Sequence, residues 1–155
     1  MAVRYRLLCV GRIRETAIAA LVDDFTQRLR RYHPVEIVEV RDAHGAAPAR
    51  AMREESERLL RRIEASEQFW LLERTGMQLS SLELAERLGE LERTGISGLT
   101  IAVAGPYGVS ETLLRRADFT WSLSRLTLLH EWARALALEQ LYRAAKILRG
   151  EPYHH

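Results

Sequence analysis

The chain has 155 residues, enough for one domain with a sizeable hydrophobic core. Apolar residues make up 47% and charged residues 28%, an ordinary composition for a soluble protein, and no apolar run reaches the roughly 18 residues of a membrane span. The formal net charge is +2 and the sequence pI about 9.0, less basic than expected of a protein that coats nucleic acid but compatible with an enzyme that reads one local site.

Tyr5 to Val10 is an apolar run ending at Gly11 and predicts a first strand. It holds the single cysteine, Cys9. No disulfide within the chain is possible, so a reducing compartment is expected, with Cys9 as a packing residue. Met1 to Arg6 leads straight into this strand and does not read as a signal peptide; the expected location is the cytoplasm. Ala17, Leu21, Phe25, Leu29 and Tyr32 recur at helical spacing, and His33-Pro34 stops that helix. Val35 to Val40 predicts a second strand, followed by a small polar loop over Arg41 to Pro48. A helix over Ala49 to Ala65 would bury Met52, Leu59, Leu60 and Ile63 beneath an Arg- and Glu-rich outer face.

Phe69 to Leu72 predicts a third strand, with a turn at Thr75-Gly76. Ser80 and Glu83 have capping-box spacing and open a third helix carrying Leu82, Ala85, Leu88 and Leu91. Leu99 to Ala104 is almost wholly apolar, as a strand covered on both faces must be. A short helix from Ser110 to Ala117, a strand over Phe119 to Leu123 and a last helix over His130 to Arg149 complete the chain. Gly150 stands at the C-cap position and Pro152 prevents continuation. Strand and helix alternate throughout. That predicts a single α/β domain over residues 1–155, with a mostly parallel sheet and helices on both faces.

Ligands of such sheets bind beyond the carboxyl ends of the strands. Three loops qualify: Glu73-Arg74-Thr75-Gly76, Gly105-Pro106-Tyr107-Gly108, and Leu123 to Leu128. The glycines of the second would let a ligand approach the backbone closely, although a plain strand-to-helix turn reads the same way. The third mixes the hydroxyls of Ser122, Ser124 and Thr127 with leucines. It suits an adenine held by backbone groups in an apolar slot, or an irregular buried connection. The last helix sets Arg134, Glu139, Arg143 and Lys146 among apolar residues, and Arg134 can share a face with His130. Tyr153 and His154 in the tail could stack on a base and hydrogen-bond to it, if the terminus is not frayed. The five histidines lack metal-ligand spacing, and no nucleophilic triad is legible.

In order, Gly105-Pro-x-Gly108, Trp121-Ser-Leu-Ser-x-Leu-Thr-Leu-x-His130, Glu139-Gln-Leu-Tyr-Arg-Ala144 and Gly150-x-Pro-Tyr-His154 resemble the RlmH family. Val10-Gly11-Arg12 and Leu72-x-x-x-Gly76-x-x-x-Ser80-Ser81 extend the resemblance over nearly the whole chain. These are bacterial pseudouridine-N3 methyltransferases of 23S rRNA, in the SPOUT superfamily. The resemblance implies a carboxyl-terminal trefoil knot, S-adenosylmethionine as cofactor, no metal, and a homodimer in which one tail lies near the partner's cofactor. Cofactor contacts would fall on Leu72, Gly105, Ser124, Arg125, Leu126, Thr127, Leu128 and Leu129. His130, Arg134, Tyr153 and His154 would place the RNA, with His154 also a candidate base. The implied substrate is the stem-loop of 23S rRNA that faces the small subunit, in assembled ribosomes. Tyr107, Leu129 and Ala104 depart from the family's usual residues. Competing readings are a SPOUT enzyme for another RNA, a ribosome-associated protein without catalysis, and a flavodoxin-like nucleotide-binding domain.

Overall fold

The computed structural model describes residues 2–153. Its elements in chain order are β1 (Arg4–Val10), α1 (Thr16–Leu29), β2 (Val35–Val40), α2 (Pro48–Leu60), β3 (Gln68–Gln78), α3 (Ser81–Arg93), β4 (Gly98–Val103), α4 (Glu111–Arg116), β5 (Phe119–Ser122) and α5 (His130–Leu148). The five strands form one sheet in the order β2-β1-β4-β3-β5, and every pairing is parallel. Parallel strands need crossovers, and here each crossover carries a helix. The α/β class and the helix-covered parallel sheet are therefore as the sequence predicts.

The sheet is buried on both faces. One apolar cluster joins Leu7, Cys9, Trp70, Ile101 and Trp121 of the sheet to α1, α3 and α5. The other joins Leu8, Phe69, Leu71 and Ala102 to Leu59 of α2 and Leu113 of α4. Alternate residues of β4 thus serve opposite layers, which is why the strand reads as a continuous apolar run.

Several expectations are corrected. On α1 the buried stripe is Ile18, Val22, Thr26 and Leu29, while Leu21 is exposed. Leu29 is buried and Phe25 and Tyr32 pack against the core as expected, but the buried face also takes in Thr26, whose hydroxyl is paired with the carbonyl of Val22. On α3, Leu84, Ala85, Leu88 and Gly89 face inward and Leu82 lies outside. The Ser80–Glu83 capping box is present in both directions. Helix α2 starts with Pro48 and buries Ala51, Glu55, Ser56 and Leu59, a partly polar face that hydrophobic periodicity does not reveal.

Strand β3 is longer than expected. It runs past Leu72 to Gln78, with a register shift against β5 between Leu72 and Met77. The expected turn at Thr75-Gly76 is instead extended chain. A Cβ on Gly76 would lie 2.5 Å from the carbonyl oxygen of Thr120, so only glycine lets the two strands approach so closely.

A candidate cofactor site at the strand ends

The carboxyl ends of β3 and β4 and the loop after β5 enclose a cavity of about 590 Å³. Its lining includes Leu72, Glu73 and Arg74 from β3, Val103 to Pro106 and Gly108 after β4, and Leu123, Ser124 and Leu126 to His130 after β5, with Ala133 of α5. Volume and apolar lining suit a small organic ligand.

Local hydrogen bonds shape this cavity. Ser122 donates its hydroxyl to the carbonyl oxygens of Arg74 (2.9 Å) and Ser124 (3.1 Å), pinning the loop to the extension of β3. The Ser124 hydroxyl accepts from the amide of Leu126 at 3.0 Å, which folds the loop back on itself. Arg74 donates to the Thr127 hydroxyl at 3.1 Å. Helix α5 then starts at His130 with no side chain capping it, leaving its first-turn amides without a side-chain acceptor.

Gly105 lines the cavity with its back against Glu55. A Cβ there would stand 2.5 Å from the Oε1 atom of Glu55, so the loop lies as low as glycine permits. Glu55 is 2% exposed; its other oxygen accepts from the amide of Ala43 at 3.0 Å, while Oε1 has no partner among the described residues. Gly108 adopts a φ of 90° and closes the turn by donating to the carbonyl of Gly105.

Of the residues expected to contact the cofactor, Leu72, Gly105, Ser124, Leu126, Thr127, Leu128 and Leu129 line this one cavity; Arg125 does not, and its side chain points to solvent. His130 lines it too. Burial lowers its imidazole below the usual histidine range, and the nearby Arg134 guanidinium adds to the effect. It is therefore neutral at physiological pH.

Arg134 lies elsewhere than the RNA surface expected of it. It is 0% exposed, pairs with Glu39 at 2.7 Å, and donates at 2.8 Å to the carbonyl oxygens of both Val10 and Gly11. Its two terminal nitrogens are held by Glu39 of β2 and by the end of β1, its Nε is buried without a partner among the described residues, and it presents nothing to a ligand in solution. Tyr153 lies edge-on to Tyr142, with the Arg143 guanidinium 4.0 Å from its ring centroid, at a separate cavity. Within one chain it does not reach the strand-end cavity. His154 lies outside the described residues. Arg74 comes from one of the three loops the sequence offers, whereas Glu131 and Ala133 lie outside them; of these two only the acid in the first turn of α5 carries a sequence signal, as a charge that favours a helix N-terminus.

Among the described residues no group of three or more His, Cys, Asp or Glu could hold a metal ion. No helix among them is long and apolar enough to cross a membrane.

The family model described as "Predicted SPOUT methyltransferase" matches residues 3–154. This chain belongs to the RlmH family of SPOUT methyltransferases. Proteins named ribosomal RNA large subunit methyltransferase H resemble it end to end. That of Geobacter metallireducens is 42% identical over 153 residues, covering 98% of this chain and 99% of the relative. That of Rubrobacter xylanophilus is 45% identical over 155 residues, covering 97% and 98%. Among solved structures, a probable methylase family protein from Haemophilus influenzae superposes with a TM-score of 0.54 at 9% identity, over 99% of this chain and 70% of that one. That likeness concerns the fold alone. Membership in the family removes the flavodoxin-like reading.

Proposed function

We propose that this chain methylates 23S rRNA, transferring a methyl group from S-adenosylmethionine to N3 of a pseudouridine in the stem-loop that faces the small subunit, within assembled ribosomes. The single observation that carries this is the strand-end cavity, on which seven of the eight expected cofactor contacts converge, in a chain of this family.

The cavity fits the cofactor. Its leucines and Val103 offer apolar walls to a purine, and its loops expose backbone where Gly105 and Gly108 stand. When bound, S-adenosylmethionine supplies an electrophilic methyl group on a sulfonium. Leu72, Gly105, Ser124 and Leu126 to Leu129 would hold it, and Glu73 is the carboxylate of the lining. The chain's own residues then align and exclude water: the β3 extension fixes the loop through Arg74 and Ser122, and His130 presents a neutral imidazole at the rim. The proton lost from N3 must leave as the nitrogen attacks. His154 is our candidate acceptor, and His130 and Tyr153 place the base. Arg134 acts behind them, as a support.

The active form on this reading is a cytoplasmic homodimer, with the carboxyl-terminal segment threaded as a trefoil knot. Trp132 and Leu136 lie one turn apart on α5 and are 47% and 39% exposed; with Leu129 they form an apolar stripe beside the cavity. A partner covering that stripe would bring its own tail close, which accounts for Tyr153 standing away from the cavity of its own chain.

Calorimetry with S-adenosylmethionine tests the cofactor assignment. The expected result is saturable binding to the folded dimer, lost in Gly105→Arg. Absence of heat with folded dimer would overturn it.

A further inference from the structure

The loop between β1 and α1 carries two arginines, Arg12 and Arg14. Both are exposed, and neither forms an ion pair among the described residues. By contrast, Arg50 and Arg58 of α2 and Arg61 at its C-cap are each tied to a glutamate of that helix. Two exposed guanidinium groups two residues apart on one loop, neither held by a carboxylate, have charge to spare for an anion.

The loop is not loose. Its backbone is gripped on both sides of Arg12 by α5. Arg134 donates to the carbonyl oxygens of Val10 and Gly11, and Glu131 accepts from the amides of Arg14 (3.0 Å) and Glu15 (3.1 Å). Arg134 is 0% and Glu131 5% exposed. Burying two charges costs desolvation that apolar packing would avoid, so such a latch is better explained by positioning than by stability. The turn of α5 that supplies the latch also supplies Leu129, His130 and Ala133 to the cofactor cavity. Cavity and loop are thus fixed to one rigid element. A cleft of about 280 Å³ lined by Arg12, Ile13, Arg14 and Asp42 lies beside it, and Asp42 also borders the next hollow, where Arg41 and His44 stand. Arg14 and Asp42 are near enough to influence the ionisation of His130.

We infer that the β1–α1 loop is a phosphate-docking element of the RNA site. Arg12 and Arg14 bind backbone phosphates of the strand that carries the target base, and Arg41 continues the track past Asp42. Glu131 and Arg134 are positioning residues that set this docking point relative to the cofactor cavity. The inference rests on the RNA-methyltransferase reading above and adds where the strand is gripped. Phosphate contacts position a nucleic acid and carry no sequence information, so the loop supplies register and affinity while the cavity rim selects the base.

The test compares the intact wild-type protein with the doubly substituted Arg12→Ala/Arg14→Ala, Arg12→Gln/Arg14→Gln and Arg12→Lys/Arg14→Lys proteins. Methyl transfer to ribosomes lacking the modification is measured over a range of salt, beside cofactor affinity by calorimetry. In the Ala and Gln proteins KM for ribosomes is expected to rise about tenfold or more, with a much smaller change in kcat. The dependence of log KM on log salt should flatten by about 1 to 2. Cofactor affinity should stay at the wild-type value, and the Lys protein should recover most of KM. An unchanged KM and salt slope, in the presence of an active wild type, would overturn the inference and leave the methyltransferase reading intact. Loss of cofactor affinity would also overturn it, by assigning the loop to the cofactor. A wild type that transfers no methyl group to ribosomes would overturn both.

Discussion

Gly105 and Arg134 show how single residues set the site. At Gly105 the obstacle to a side chain is the Oε1 atom of a buried glutamate, the far end of a side chain whose other oxygen is tied to Ala43. Gly105→Ala is expected to push the loop into the cavity, weakening cofactor binding about tenfold while costing about 1 kcal/mol of stability. Gly105→Ala combined with Glu55→Ala should regain cofactor affinity, because the second change reopens the space; calorimetry on both proteins checks this. Arg134 is different. Its removal strands Glu39 and two carbonyl oxygens at the end of β1. Arg134→Ala should cost about 3 kcal/mol of stability, read as a lower denaturation midpoint, so any loss of activity must be measured well below that midpoint.

At the scale of elements, the extension of β3 and the entry to α5 do most to build the cavity. Arg74 reaches Thr127 only because β3 continues beyond Leu72. Arg74→Ala is therefore expected to weaken cofactor binding several-fold while leaving the thermal midpoint within a few degrees, since the pair is exposed. Gly76→Val should act on the fold itself: its side chain meets the backbone of β5, and soluble yield and thermal midpoint should both fall. These two features also mark what the sequence could and could not show. The alternation of strands and helices and the Ser80–Glu83 cap were legible from local pattern, whereas the loop residues around the cavity read equally well as plain connections until the order and spacing of the motifs joined them through the family resemblance. The extension of β3 was not, because Thr75-Gly76 is turn chemistry locally and the partner that holds it straight, β5, lies more than forty residues later. The burial of Thr26 on α1 is not legible either, because a threonine paired to its own helix passes for an outward residue. The burial of Arg134 was hidden for a similar reason: its partners come from β1 and β2, and a basic residue on a helix reads as exposed until they are known.

For the molecule as a whole, pH and assembly are the informative variables. His33 is buried, with Nδ1 2.9 Å from the carbonyl oxygen of Val3 and its ring stacked on Tyr5. Burial lowers its pKa below the ordinary imidazole value, outweighing the opposing influence of Val3 and Glu92. A histidine whose folded pKa is lowered binds its proton first in the unfolded chain. Its contribution is thus complete above the unfolded value of about 6.5 and is lost as pH falls from there toward the folded value. His130 acts in the same direction. The thermal midpoint should fall on acidification from about pH 7 to 5.5, and His33→Gln, less stable throughout, should show a shallower fall. For assembly, Trp132→Glu places a charge in the exposed apolar stripe of α5. Sedimentation should show a folded monomer that binds ribosomes poorly, since the site would lack a partner's tail.

Mapping of the transferred methyl group bears most directly on the central claim. Ribosomes lacking the modification, and free 23S rRNA from the same source, are incubated with the protein and labelled S-adenosylmethionine, and the labelled nucleotide is located by mass spectrometry. The expected result is one methyl group per assembled ribosome, on N3 of a pseudouridine in the stem-loop facing the small subunit, with little label on free 23S rRNA. Equal labelling of free and assembled RNA, or label on another nucleotide, would contradict it.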